Sequence, residues 1–491
     1  MNFERIFLEK LAYKEYQLYE LLINSNIDQI YTTSDLAKKL GYSMNVMAKV
    51  IQNLNSRLTN LGYDPLIAVH RKSGLTVGEI TLSLDELRAS LMKESMIFSF
   101  VEYVAFNPDS DVMGFYDSHY ISQSTLYRRV KPLLDYLETY QVGISLSQGE
   151  FVGDERNIRL FLFCMYWVGI KGVEWPFSMV DHSFVQKQAV KIEISTEYKM
   201  NLVTKHETEY FFAISMQRVA IGETVKHYEQ FDKICQNNLQ FNPYLYQELF
   251  PNLSEAHFMD EARFHFFIIN FKPLYFEESL YLMKTLNYYQ TENNIIWQVS
   301  NKLINSLKQK FPQDAHELSS PILLGNLLSI NLAHYSFRSK FINLFILTDP
   351  SEEPIVKDQL TEFLEICLDE FKGSKYDVFY EMKSELVSFY YHLFSVVLKD
   401  AVDDRKSVKV GLMLDLNKLL YDRLLSFLEH SPFQIKVFNL LDYQTSVDVI
   451  ISSVYLKVDK QLQPRPKIYY WNSQKESVNY INILKIISGE K

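Results

Sequence analysis

The stretch that decides the fold is residues 121–161, ISQSTLYRRVKPLLDYLETYQVGISLSQGEFVGDERNIRLF. Its apolar side chains recur every three or four residues, which predicts an amphipathic helix with one buried face, and Ser122 is placed to cap it. Gly143 and Gly149 bracket a short predicted hairpin, so the stretch predicts a recognition helix followed by a wing. Pro132 falls inside the helix and predicts a kink. The predicted buried face consists of Leu126, Val130, Leu133, Leu134 and Leu137.

The same order of elements is expected earlier in the chain. A leucine-faced first helix is followed by a short helix that Ser34 would cap, and Gly41 ends that helix in a tight turn. A longer helix with apolar residues at 3–4 spacing begins after Ser43, and residues 65–83 predict a hairpin. Two tandem winged helix-turn-helix units are therefore predicted, and the second should open with one long helix over 84–104.

Beyond these units the sequence changes character twice. Residues from about 155 to 400 predict long amphipathic helices with a break near Glu277 and Glu278, and the chain then alternates apolar strands with helices, as α/β domains with a parallel sheet do. The predicted fold class is therefore mainly α and multidomain. The predicted boundaries are 1–83 and 84–155 for two winged helix-turn-helix domains, 156–277 and 278–400 for two helical domains, and 405–491 for a small α/β domain.

Composition limits the function classes. The chain has 15 glycines and 14 prolines in 491 residues, which is low for both and favours a mostly helical protein. A formal charge of −10 argues against a protein that coats nucleic acid without specificity. The longest apolar run, residues 160–170, covers roughly half of a bilayer core, so we expect a buried helix and a soluble cytoplasmic protein without a membrane partner.

Two polar helix faces are the candidate DNA-reading surfaces. Asn and Gln can pair with adenine in the major groove, while Arg and Lys bind guanine or phosphate. Between residues 36 and 72 six basic residues face one acidic residue, and no acidic residue lies between 119 and 131. A solvated helix face would have the same polarity, but two copies with basic surroundings favour DNA contact. The predicted DNA-binding residues are Asn45, Lys49, Gln52, Asn53, Arg57 and Lys72 in the first unit, and Gln123, Thr125, Tyr127, Arg128, Arg129 and Lys131 in the second.

The sequence offers no sign of catalysis, of a metal site or of a cofactor. It contains no G-x-S-x-G, no phosphate-binding glycine loop and no H-E-x-x-H. His257 and His265 would lie about 12 Å apart on a helix, which is too far for a shared ion. The three cysteines are too widely spaced for a C-x-x-C motif. We therefore expect neither an enzyme nor a metalloprotein.

The quoted stretch resembles the Mga/AtxA family of Gram-positive global transcription (virulence) regulators. The resemblance rests on Ser122, on Ser124 and Thr125, on Arg128 or Arg129, and on the leucine stripe over 133–137. It continues in Gly153, Asp154 and Glu155, followed by Ile158 and Arg159. In that family the helical units are phosphotransferase regulation domains (PRD), and the last domain resembles an enzyme IIB component. The resemblance thus implies PRD-like domains at 156–277 and 278–400 and an enzyme IIB-like domain at 405–491.

The resemblance also implies regulation. Phosphorylation of histidines in the PRD-like units would tune activity and self-association, with a phosphotransferase-system phosphocarrier protein as a partner. His206 and His392 are the nearest candidates by position, although the residues alone favour the interpretation of His392 as a core histidine satisfied by a neighbour. No cysteine follows Cys367, so the terminal domain lacks the nucleophile of a working IIB component. It is expected to be a dimerisation or docking module that supports a homodimer or higher self-association.

The sequence therefore predicts a regulator that contacts double-stranded promoter DNA through both winged units. One alternative is an RNA-binding transcription antiterminator with the same regulation domains. Such proteins begin with a small β-rich domain, which the helical first 150 residues do not resemble. A phosphotransferase enzyme is the other alternative, and the missing cysteine argues against it.

Overall fold

The computed structural model describes most of the chain as two compact units. They are Met1–Pro354 with Cys367–Leu393, and Ile355–Ile366 with Phe394–Lys491. This division is coarser than the five domains that the sequence predicts, whose boundaries stay predictions. The described residues are 3–23, 32–70, 74–107, 112–271, 275–342, 358–398, 408–414, 418–431, 433, 435–439, 447–453, 466–471 and 476–488.

The first 77 residues contain the helices and the hairpin that their sequence predicts. The hairpin is antiparallel, with Ile67 opposite Val77 and His70 opposite Gly74. We call this region module 1. Its elements are α1 (Phe3–Phe7), α2 (Lys10–Ile23), α3 (Thr33–Leu40), α4 (Met44–Asn60), β1 (Ile67–His70) and β2 (Gly74–Val77).

The start of α3 differs from the prediction by two residues. Thr32, not Ser34, is the N-cap: its hydroxyl accepts a hydrogen bond from the Asp35 N–H at 3.1 Å. The Asp35 carboxylate in turn accepts one from the Thr32 N–H at 2.9 Å. This reciprocal pair satisfies two N–H groups that would otherwise lack partners, which is why the helix begins there. Gly41 ends α3 at φ 72°, as the predicted tight turn requires.

Residues 84–153 form a second arrangement of the same kind, which we call module 2. The prediction of one long helix over 84–104 is wrong, because Ser95 starts a new helix. Its hydroxyl accepts a hydrogen bond from the Phe98 N–H at 3.1 Å and donates one to the Phe7 carbonyl at 2.6 Å. The elements are α5 (Leu84–Lys93), α6 (Met96–Phe106), α7 (Val112–Ser118), α8 (Gln123–Glu138), β3 (Val142–Ser145) and β4 (Glu150–Gly153).

Helix α8 runs unbroken through Pro132. Pro132 has no N–H and cannot donate to the Arg128 carbonyl four residues earlier. The proline ring is exposed, so water can reach that carbonyl. The predicted kink stays a prediction. Strands β3 and β4 form the predicted antiparallel hairpin, with Val142 opposite Gly153.

The middle of the chain is helical, as predicted. The apolar run of residues 160–170 lies almost entirely buried within the first of these helices. No helix in the described part of the chain is both long and apolar enough to cross a membrane. The helices are α9 (Glu155–Ile170), α10 (His182–Thr196), α11 (Leu202–Ala220), α12 (Glu229–Cys235), α13 (Glu255–Asn270), α14 (Leu280–Glu292), α15 (Ile295–Lys310), α16 (Pro321–Phe337), α17 (Gln359–Asp369), α18 (Asp377–Glu381) and α19 (Lys383–Phe394).

The end of the chain contains the predicted parallel sheet. Val410 on the central strand β5 pairs with Val437 on one side and with Val449 on the other. All neighbouring strands are parallel, in the order β6-β5-β7-β8. Buried Leu424 and Ile483 on the two helices pack against the sheet. The elements are β5 (Val408–Met413), α20 (Lys418–Glu429), β6 (Ile435–Asn439), β7 (Val449–Ser452), β8 (Lys467–Tyr470) and α21 (Glu476–Ser488).

Candidate nucleic-acid interface

Helix α4 presents one of the two predicted reading surfaces. Its apolar stripe, which includes Met47 and Leu54, is fully buried in module 1. On the opposite face Asn45, Lys49 and Gln52 are exposed and follow one another at intervals of four and three residues, so they share one face of the helix. Ser43 caps the helix as predicted. This face has the donors, acceptors and charge that a major groove requires.

The wing of module 1 is held against its recognition helix by an amide. The Nδ2 of Asn55 donates to the Ile67 carbonyl at 2.7 Å, and its Oδ1 accepts from the Ile67 N–H at 3.0 Å. Both bonds fix the first residue of β1, so the hairpin leaves α4 in a defined direction. Lys72, which the sequence predicts as a DNA contact, lies outside the described residues.

Arg57 differs from the rest of the α4 set. Its side chain is only 15% exposed, and its Nε contacts the buried Glu15 carboxylate at 2.8 Å. Its Nη1 contacts Glu94 of module 2 at 2.6 Å. A buried carboxylate needs a counter-charge, and Arg57 supplies it to Glu15. Through its two contacts the guanidinium joins α4 to α2 and to the end of α5. Asn53, on the edge of the exposed face, is half-buried.

Helix α8 presents the second surface with a larger charge. Its N-cap, Ser122, accepts a hydrogen bond from the Thr125 N–H at 3.2 Å, and the hydroxyls of the two residues lie 2.9 Å apart. Thr125 is half-buried beside this cap. The other predicted contacts are all exposed, namely Gln123, Tyr127, Arg128, Arg129 and Lys131.

The three cations of α8 differ in whether a carboxylate already pairs with them. Arg128 has no ion pair with any residue that the structure describes. Arg129 contacts Glu9 at 2.8 Å and Lys131 contacts Asp135 at 2.5 Å, and all four side chains are at least 39% exposed. Exposed pairs of this kind are screened by water and contribute little, so an approaching phosphate can replace the carboxylate.

The residues after the wing of module 2 make a tight junction with α9. Gly153 has φ 134°, and a Cβ there would lie 2.5 Å from the Gln141 carbonyl oxygen, so only glycine fits. The Asp154 carboxylate caps α9 by accepting the Arg156 N–H at 2.9 Å. It also binds the Arg156 guanidinium at 2.6 Å.

A buried ion network continues from that junction into the helical middle. Arg159 binds Glu261 with both terminal nitrogens, at 2.6 and 2.7 Å, and neither side chain is exposed. Glu155 accepts from Arg159 and from Arg218, and Arg218 donates to the Ala105 carbonyl at the end of α6 at 2.7 Å. Burial alone would lower the pKa of Arg159, but Glu261 and Glu155 raise it above its usual value. The network joins module 2 to α9, α11 and α13.

The two predicted phosphorylation sites are both accessible. The His206 side chain is 32% exposed, and its Nδ1 lies 3.0 Å from the Glu209 carboxylate. His392 is exposed on α19, so the interpretation of His392 as a core histidine is wrong. Core histidines do occur in the chain, as at His334, where burial lowers the pKa to about 4.

Comparison with known proteins agrees with this geometry. The profile of the Mga helix-turn-helix domain matches residues 80–166, which cover module 2 and its junction with α9. A protein of Streptococcus pneumoniae serotype 4 that is named as a trans-acting regulator is 21% identical over 74% of this chain and 74% of its own length. The capsule synthesis positive regulator AcpB of Bacillus anthracis is 20% identical over 62% of this chain and 64% of its own length. The anthrax toxin expression trans-acting positive regulator of Bacillus anthracis is 21% identical over 29% of this chain and 30% of its own length.

Proposed function

We propose, since the chain belongs to the Mga/AtxA family of transcription regulators, that it binds promoter DNA through α4 and α8 and controls transcription there. The observation that carries this proposal is that each recognition helix buries its apolar stripe and leaves a polar, basic face exposed beside a wing. Two relatives are named positive regulators, so we propose that this chain activates its targets.

The exposed residues divide into two roles. Arg128, Arg129 and Lys131 would contact phosphates, because their charges lie at the surface and are paired only weakly. Asn45, Gln52 and Gln123 carry amides that can pair with adenine in the major groove. Arg57 would act indirectly by holding α4 in place.

The small number of free cations suggests how the protein selects DNA. A chain of net charge −10 with one exposed cation on α4 and three on α8 cannot rely on charge alone. We therefore propose that the shape of A·T-rich or curved DNA contributes to recognition, since a bent duplex would let both modules bind at once.

Phosphorylation of His206 and His392 is the proposed means of regulation, with a phosphotransferase-system phosphocarrier protein as the donor. Both imidazoles are accessible, and a phosphoryl group would add negative charge beside a helix surface. Incubation of the full chain with the phosphocarrier system should label the wild type. His206→Ala and His392→Ala should each remove part of the label. His316→Ala is the control, because that residue is 97% exposed and lies outside the proposed sites. Equal labelling of all variants would reject both sites.

Self-association through the terminal α/β domain is the second proposed element of regulation. Its parallel sheet ends in exposed edge residues such as Tyr470, and Ile481 on α21 is 55% exposed. A chain truncated near residue 400 should run as a monomer in light scattering, while the full chain should run as a dimer. A truncated chain that remained dimeric would place the interface elsewhere.

DNA binding is tested by removing charge from α8. Full-length Arg128→Ala/Arg129→Ala should bind an A·T-rich promoter duplex more weakly in fluorescence anisotropy. The slope of log K against log salt should become shallower by about 1.8, or about 0.9 for each phosphate that the variant no longer neutralises. The matched control is Lys187→Ala/Lys226→Ala, which removes two exposed cations from outside the modules.

Three outcomes would contradict the proposal. One is an unchanged affinity and salt slope in the α8 variant. Another is an equal decrease in affinity in the control variant, which would show that net charge alone matters. The third is stronger competition by an RNA hairpin than by duplex DNA, which would favour the antiterminator alternative.

A further inference from the structure

We propose that His182, His206 and Glu209 bind one divalent transition-metal ion of the zinc type. One ligand atom from each of these residues lies within 4.8 Å of the others. The Oε2 of Glu209 lies 3.0 Å from His182 Nε2 and 3.0 Å from His206 Nδ1. Ligands of a tetrahedral zinc ion with bonds of about 2.0–2.1 Å are roughly 3.3 Å apart, so small side-chain rotations would complete the site.

Each ligand is held by the fold. Glu209 is 4% exposed in α11, and His206 precedes it by three residues on the same helix face. His182 is the first residue of α10, and its ring stacks on Trp175 with centroids 4.0 Å apart and planes 11° apart. The Trp175 indole is itself fixed by donating to the Val180 carbonyl at 2.9 Å. The ring of His182 is therefore oriented toward Glu209 before any ion arrives.

His227 also lies beside two carboxylates, but its contacts do not meet at a single point. His227 contacts Asp260 through Nδ1 at 3.0 Å and Asp232 through Nε2 at 3.2 Å. These contacts are on opposite edges of one ring, so the two carboxylates cannot share an ion with it. At Glu209, in contrast, two imidazoles from different helices approach a single oxygen. That is the arrangement of a two-histidine, one-carboxylate site.

The site would remain open to solvent. The side chains of His182 and His206 are 35% and 32% exposed, so an ion can enter without unfolding. Three protein ligands leave one coordination position for water or for another group. The sequence prediction of no metal site rested on spacing within one helix, and here the ligands come from α10 and α11. The proposal concerns the unphosphorylated chain, because a phosphoryl group on His206 Nδ1 would occupy the lone pair that binds the ion.

Zinc chloride titrated into full-length, chelator-treated protein tests the site by calorimetry. The wild type should bind one zinc ion per chain. His182→Ala and Glu209→Gln should weaken binding by about 100-fold or more, because even removal of an outer partner of a ligand costs roughly 10–100-fold. His227→Ala is the matched control and should bind as the wild type does. Zinc binding that survives both site variants, or is absent from the wild type, overturns the proposal.

A measurement on the wild type alone covers the case in which a variant fails to fold. Diethyl pyrocarbonate modifies accessible imidazoles, and peptide mass spectrometry locates the modified residues. Zinc should protect His182 and His206 and leave His316 equally modified, since that side chain is 97% exposed. Equal modification of His182 and His206 with and without zinc would also overturn the proposal.

Discussion

Helices α4 and α8 occupy the same place in two modules of the same order but differ in usable charge. The cations of α4 are Lys49, which is exposed, and Arg57, which is held by Glu15 and Glu94. Helix α8 exposes three cations, and none of them is paired with a buried carboxylate among the residues that the structure describes. A shared fold therefore does not imply an equal contribution to binding, and we expect module 2 to supply most of the affinity for DNA.

The modules also differ in how they are attached. Among the contacts of module 1 with module 2, Arg57 binds Glu94, which is 63% exposed, and the Ser95 hydroxyl donates to the buried Phe7 carbonyl. Module 2 is joined to the helical middle by the network of Arg159, Glu261 and Arg218, in which every side chain is buried. Module 1 also contacts the helical middle directly, because the buried Phe7 ring stacks on Phe161 of α9 with centroids 6.5 Å apart.

The largest effect should come from Glu261→Gln. Without the Glu261 charge, the buried Arg159 guanidinium keeps only one of its two carboxylate partners. The free energy of unfolding should therefore fall by about 3–5 kcal/mol. Glu94→Gln, at the exposed end of the Arg57 contact, should cost less than about 1 kcal/mol. Urea unfolding followed by circular dichroism measures both. Similar changes for the two variants would mean that the buried and the exposed carboxylate contribute equally to stability.

The next effect compares the cations themselves. Arg128→Ala should weaken DNA binding about equally for all sequences and make the salt slope shallower by about 0.9, the value for one phosphate. Lys49→Ala should have a smaller effect, because its helix presents one cation in place of three. Fluorescence anisotropy at several salt concentrations gives both numbers, with Lys187→Ala as the control. A larger decrease in affinity for Lys49→Ala would reverse the ranking of the modules.

Removing the N-cap of either recognition helix should have a smaller effect, which separates helix stability from DNA affinity. Ser43→Ala and Ser122→Ala each remove an N-cap, which should cost about 1 kcal/mol of stability in either helix. Ser122→Ala should also reduce DNA affinity more, since it loosens the turn that carries Gln123 and Tyr127. Amide hydrogen exchange in the first turn reports the removal of the cap. Equal effects on DNA affinity would contradict the dominance of module 2.

The smallest effect should come from Glu9→Gln. This change releases Arg129 from an exposed pair, so stability should change by less than about 1 kcal/mol. Affinity for DNA should rise slightly at low salt, because Arg129 no longer has to give up the Glu9 carboxylate before it binds a phosphate. Thermal unfolding and anisotropy measure the two quantities. A decrease in affinity would show that Glu9 positions Arg129 for binding.

Local patterns were sufficient to predict the recognition helices and the strands. The apolar stripe of α8 repeats at the helical period, and the strands of the parallel sheet stand out as short β-branched runs, so both could be placed from the sequence. Starts of helices were harder. Thr32, Thr33 and Ser34 are all capping residues, and the reciprocal bonds with Asp35 choose among them. The break at Ser95 depends on the distant Phe7 carbonyl.

Long-range partners could not be predicted. The polar position of Arg57 on α4 looked like a DNA contact, and its partner Glu15 belongs to a different helix. Glu155 and Arg159 carried the family resemblance, but their partner Glu261 lies 102 residues further along than Arg159. His182 and His206 likewise come together only because α10 and α11 pack side by side. Spacing along the chain reports periodicity, whereas these contacts depend on how the helices assemble.

The joint between β4 and α9 has a mechanical consequence. One residue, Asp154, separates the end of the wing from the first turn of α9, and a single residue offers only two soft torsions. Both are restrained, because its carboxylate holds the helix start and the Arg156 side chain. The wing therefore behaves as a rigid extension of α9, and any rotation of that helix would swing the wing through the same angle.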